Sequence, residues 1–90
     1  MTITDVRVYL RNGSDTLKAF ASVTLDEAFA VRDLKVVEGE RGLFVSMPAR
    51  KDPAGKYHDV AHPVTREFRD ELQARVLEAY RQAAGGSGAA

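Results

Sequence analysis

The chain has 90 residues, a formal net charge of zero and no cysteine. That length holds one domain, and the missing thiols exclude disulfide staples, Cys-ligated zinc and thiol catalysis. Zero net charge argues against a protein that coats nucleic acid by bulk charge, so any polyanion site must be a local patch. A domain this small buries only about 60% of the surface its unfolded chain exposes, so dimerisation would stabilise it. Residues 1–5 show no basic segment leading into an apolar run, and no run approaches the roughly 18 apolar residues of a membrane span; a cytoplasmic protein is expected.

Val6, Val8 and Leu10 alternate with Asp5, Arg7 and Tyr9, the period of a half-buried strand. The turn cluster Asn12-Gly13-Ser14-Asp15 follows. Leu17, Ala19, Ala21, Val23 and Leu25 then alternate with Lys18, Phe20, Ser22 and Thr24, a hairpin partner for the first strand. After the connection Asp26-Glu27-Ala28, Phe29 and Val31 share one parity and Leu34 and Val36 the other. A bulge at Arg32-Asp33 accounts for the slip; a short helical turn is the alternative. Glu38-Gly39-Glu40-Arg41-Gly42 is the next turn.

The run Gly42-Leu43-Phe44-Val45-Ser46-Met47-Pro48 reads as a buried strand. A basic loop with Arg50, Lys51 and Lys56 surrounds Asp52-Pro53-Ala54-Gly55, which fits a type I turn: Asp caps it, Pro fixes φ at the second position and Gly relieves the fourth. The chain is expected to return as another strand through Tyr57, His58 and Asp59 and to stop at Pro63.

After Pro63 the period becomes helical. Phe68, Leu72, Val76, Ala79, Tyr80 and Ala83 fall on one arc, Thr65 is placed to cap, and Glu67, Asp70 and Glu71 suit the positive end of the helix dipole. Glu71 and Arg75 are spaced as an ion pair. Leu77 lies off the arc, either an isolated exposed leucine or a dimer contact. The helix is expected to fade by Ala84, leaving residues 85–90 as a flexible Gly/Ser/Ala tail beyond a single domain of residues 1–84. The fold class is therefore α+β: an antiparallel sheet of about five strands followed by one C-terminal amphipathic helix packed on it.

Thr4-Asp5-Val6-Arg7, Ala21-Ser22-Val23-Thr24-Leu25-Asp26, Gly42-Leu43-Phe44-Val45-Ser46-Met47-Pro48 and Asp59-Val60-Ala61-His62-Pro63-Val64 resemble segments of the stage V sporulation protein G (SpoVG) family. The similarity runs from about residue 2 to the early eighties. It implies a small cytoplasmic homodimer that binds DNA and RNA with some sequence preference and regulates gene expression, named for septation during sporulation. The family extends to bacteria that form no spores. A short Gly/Ala end stands here in place of the longer acidic extension of some members.

The candidate nucleic-acid site is Arg50, Lys51 and Lys56 at the hairpin tip, extended by Arg66 and Arg69 at the helix start and by Arg75 along it. Phosphate neutralisation requires mobile cations rather than fixed geometry. Tyr57 beside Lys56 is placed either to stack on a base or to pack across strands. His58 and His62 would chelate from a helix, but on a strand they lie about 13 Å apart, too far for one ion. Asp59 stands where a zinc-peptidase motif needs Glu. No phosphate-cradling glycine loop and no nucleophile context appears, so neither enzyme activity nor a metal, cofactor or small-molecule substrate is expected. The alternative is a protein-interaction module that docks a partner on a sheet edge or helix face.

Overall fold

Hydrophobic alternation and turn chemistry produce a meander of strands closed by one helix, in a computed structural model that describes residues 1–11 and 16–89. The Asn12-Gly13-Ser14-Asp15 turn lies outside the described residues. β1 (Ile3–Leu10), β2 (Leu17–Leu25), β3 (Phe29–Gly39) and β4 (Gly42–Ser46) form one antiparallel sheet in the order β1-β2-β3-β4. β5 (Ala49–Lys51) and β6 (Tyr57–Asp59) form a separate two-stranded sheet, and α1 spans Arg66–Ala89.

The expected single hairpin across residues 42–63 is therefore two structures. β4 pairs back onto β3, with Val45 opposite Val36. Pro48 has no N–H to continue a ladder, and the chain restarts as β5. β6 ends at Asp59, where the Val60 N–H turns back to the Pro48 carbonyl (2.7 Å), so the strand does not reach Pro63.

Register separates the two faces of the main sheet. Val6 faces Val23, Val8 faces Ala21, Ala21 faces Leu34, and Ala19 faces Val36, all toward the helix. The phase slip in β3 is a bulge. Ala21 pairs Leu34 and Val23 pairs Val31, so Ser22 alone opposes both Arg32 and Asp33. Asp33 adopts φ +67°, which Asp tolerates better than most residues, and the extra residue returns Leu34 to the core face. The β2–β3 turn also uses left-handed backbone, at Asp26 (φ 53°) and Glu27 (φ 56°). It is braced by the N-terminal segment: the Thr2 N–H donates to Asp26 Oδ1 (2.8 Å), the Asp26 N–H to the Thr2 carbonyl (2.7 Å), and the Glu27 N–H to Thr4 Oγ1 (2.9 Å).

The core is Ile3, Ala19, Ala21, Val23, Leu34, Val36 and Val45 from the sheet with Leu72, Val76 and Leu77 from the helix. The small Ala19 and Ala21 on the central strand leave volume that the larger helix side chains fill. Thr65 caps α1 as expected, its Oγ1 accepting the Phe68 N–H (3.2 Å). Leu77 is not an isolated exposed leucine: it is only 8% exposed and belongs to this core, so its position off the arc no longer argues for a dimer contact. Leu77 widens the apolar stripe beyond the arc of Phe68, Leu72, Val76 and Tyr80, because a helix lying on a wide sheet buries a broader arc than one seam. Arg75 donates to the Ile3 carbonyl (3.2 Å) rather than pairing with Glu71. Gln73 Oε1 accepts the Val45 N–H (3.4 Å), covering an otherwise open donor on the edge strand β4. The helix also continues to Ala89, past Ala84 where the glycines were expected to end it. Glycine costs about 1 kcal/mol against alanine, but a helix already formed needs no new nucleus to lengthen.

Leu34→Ala empties a fully buried site and is expected to destabilise the domain by about 2–5 kcal/mol in urea unfolding. Phe68→Ala, at a half-buried site, should cost less than Leu34→Ala, and Thr65→Ala about 1 kcal/mol. A Leu34→Ala loss below that of Phe68→Ala would contradict this placement of the core.

Candidate nucleic-acid interface

The hairpin tip is built by one carboxylate. The Gly55 N–H reaches the Asp52 carbonyl (2.9 Å) and closes the expected four-residue turn, with Gly55 at φ +89°, a conformation glycine adopts without strain. Asp52 Oδ1 accepts the Lys56 N–H (2.9 Å), and Asp52 Oδ2 accepts from His58 Nε2 (2.7 Å). The His58 bond, followed by the backbone N–H of Lys56, holds the Asp52 carboxyl below its ordinary pKa. His62 is engaged separately, its Nδ1 donating to the Pro63 carbonyl (2.9 Å) beside the helix start. The two histidines thus serve different local structures, and no group of three or more metal-ligating side chains occurs among the described residues.

Arg50, Lys51 and Lys56 are all exposed, and none forms a salt bridge among the described residues. Arg50 stands opposite His58 and Lys51 opposite Tyr57. The Lys51 ammonium lies 5.7 Å from the Tyr57 ring centroid, a cation–π contact on a ring that is 70% exposed.

The residues nominated from sequence do not form one patch. Arg66 and Arg69 are exposed on the first turns of α1 and share a helix face with Gln73, which meets the edge of β4. Arg75 is tied to the start of β1. Arg50 instead lines a groove of about 670 Å³ between the first half of β3 and the small hairpin, together with Arg32 and Lys35 and over Phe20, Ala30 and Val60. Arg32 and Lys35 escaped the sequence reading. Their signal was the outward parity of β3 on either side of the bulge.

The fold and this site define a small α+β domain with a basic hairpin beside a half-covered sheet. The SpoVG family model matches residues 1–82. A Heliobacterium modesticaldum protein named "Putative septation protein SpoVG" is 53% identical over 83 residues, covering 92% of this chain and 93% of the relative. Relatives of the same name from Lachnospira eligens (51% over 83 residues, 92% and 94% covered) and Archaeoglobus fulgidus (52% over 80 residues, 89% and 94% covered) are similarly close. The chain belongs to the SpoVG family. Those names describe a septation protein rather than an enzyme, and no described helix is long and apolar enough to cross a membrane.

The depressed Asp52 pKa fixes the sign of a pH effect. The tip gains from the ionised carboxylate above the unfolded value of about 3.9, and that gain is lost as pH falls through the lower folded value. Carboxyl titration by NMR should give Asp52 a midpoint below that of free aspartate, moving upward in His58→Gln. An unshifted midpoint in the unmodified protein would contradict the bonding described.

Proposed function

We propose that the chain is a homodimeric, site-preferring DNA- and RNA-binding regulator, working in the cytoplasm and connected with septation as its relatives' names suggest. The observation that carries this reading is a neutral chain that concentrates unpaired cations at one place: Arg50, Lys51 and Lys56 on the hairpin, continuous through the groove with Arg32 and Lys35. A local patch of this kind attracts phosphate without the bulk charge of a coating protein. Arg66 and Arg69 supply further cations on the helix side of the sheet, and Arg75 reaches the backbone beside β1. With Leu77 in the core, support for a dimer moves to β1, an edge strand of the main sheet; an open edge favours pairing with a second copy.

A second reading, a protein-interaction module, draws on an apolar groove of about 550 Å³ between the sheet and the helix start. It is lined in part by Phe29, Met47, Val64 and Phe68, with Phe29 66% and Val64 86% exposed.

Each phosphate neutralised on a DNA duplex contributes about −0.9 to the slope of log affinity against log salt, so three tip contacts give about −3 per subunit. Replacing Arg50, Lys51 and Lys56 together by Ala should flatten the slope by about that amount and leave stability within about 0.5 kcal/mol. Unchanged affinity and slope for a normally folded triple variant would reject the tip and move the search to Arg66, Arg69 and Arg75. Light scattering at micromolar concentration should give a dimer mass; a monomer mass would reject the dimer.

A further inference from the structure

The helix covers one face of the main sheet, and no element of the described residues forms a layer on the other. On that open face Tyr9 stands opposite Phe20, Phe20 opposite Lys35, and Lys35 opposite Ser46, a row that crosses all four strands. Phe44 lies on the same face, opposite Val37. Tyr9 is 57% and Phe44 42% exposed, and neither they nor Phe20 pack against the core cluster. The Phe44 ring lies over Gly39, where an added Cβ would meet its Cε1 at 3.0 Å, so the missing side chain lets the ring settle close to the sheet. From strand spacing and rise, Phe44 is about 12 Å from Phe20.

The charges around these rings are unbalanced in one direction. Asp5 is occupied by Arg7 (3.0 Å) and Glu38 by Lys18 (3.4 Å). Arg32, Lys35 and Arg50 carry no such partner among the described residues, and the acid that lines their groove is Asp33 in the bulge. Flat exposed rings interleaved with unpaired cations suit unstacked bases on a phosphate chain, whereas a duplex hides its base faces. The hydroxyls of Ser22, opposite Arg7, and Ser46, opposite Lys35, add donors and acceptors on the same surface, of the kind that read a ribose 2′-hydroxyl.

We propose that the open sheet face is a stacking platform for single-stranded RNA, with Tyr9, Phe20 and Phe44 holding bases and Lys35, Arg32 and Arg50 holding the backbone as it passes into the groove toward the hairpin tip. This rests on the nucleic-acid reading above and adds the form of the ligand and the residues that meet its bases.

Anisotropy of a labelled unpaired RNA of about ten nucleotides tests it, alongside the same sequence as deoxyribose and as duplex RNA. Tyr9→Ala and Phe44→Leu should each weaken the single strand by about five- to 150-fold while leaving the salt slope unchanged, since a ring neutralises no phosphate. The tip triple variant should also weaken the single strand, but with a flatter salt slope. The chain has no tryptophan, so Tyr9→Trp supplies a unique fluorophore that should retain binding and be quenched when a base stacks on it. Full single-strand affinity in folded Tyr9→Ala and Phe44→Leu would overturn the platform, as would equal affinity for duplex RNA. Equal affinity for the deoxyribose strand would overturn the assignment to RNA. If rings prove silent while the tip still sets the salt slope, the platform alone fails; if no nucleic acid binds at low salt, the nucleic-acid reading fails with it.

Discussion

The packing of α1 across Ala19 and Ala21 is the constraint on which the rest depends. Val76 and Leu34 are fully buried, and Leu72 and Leu77 nearly so, against strands whose central residues are small enough to let the helix settle. Each such side chain contributes about 1.5–3 kcal/mol by leaving water. In a domain of this size that contact is the main source of stability, because the described residues hold no second helix or second large sheet to add another layer. The same scarcity leaves the opposite face of the sheet uncovered.

What that uncovered face carries follows from register. With side-chain period two, the bulge at Arg32-Asp33 decides which residues of β3 point where. It keeps Val31 and Leu34 near the core on either side of the extra residue and aligns Lys35 with Phe20 and Tyr9 on the open side. Pro48 has a comparable effect at the end of β4. By ending the ladder it frees the small hairpin to sit beside the first half of β3, and the groove between them brings Arg50 to Arg32 and Lys35. Two local interruptions of regular structure therefore assemble the cationic surface, and the bulge at the same time keeps Leu34 and Val36 in the core.

Much of this was legible in the residues. The alternation in β1 and β2, the phase slip in β3, the Asp52-Pro53-Ala54-Gly55 turn and the Thr65 cap are local signals, and each produced its element. Apart from the run of α1 past Ala84, the failures are non-local. Leu77 lay outside the narrow arc drawn for the helix, and only the width of the sheet beneath it shows that the arc is broader. Whether β4 continues into the hairpin or pairs back depends on how Pro48 meets its neighbours, which no window of sequence contains. The cations of the tip were visible as a cluster, but their connection to Arg32 and Lys35 bridges about fifteen residues of chain. The outward set of Arg7, Tyr9, Phe20 and Lys35 was readable as alternating parity, yet its significance lies in the absence of a covering layer, a property of the whole fold.

The proposed binding surface is the sheet face left open by the helix, joined to the hairpin through the groove. Backbone and side-chain NMR shifts during titration with an unpaired RNA test it most directly. Saturable shifts are expected at Tyr9, Phe20, Lys35, Phe44 and Arg50, with the buried Leu72, Val76 and Leu77 little changed. Shifts confined to Arg66, Arg69 and the exposed side of α1, with the open sheet face silent, would contradict it.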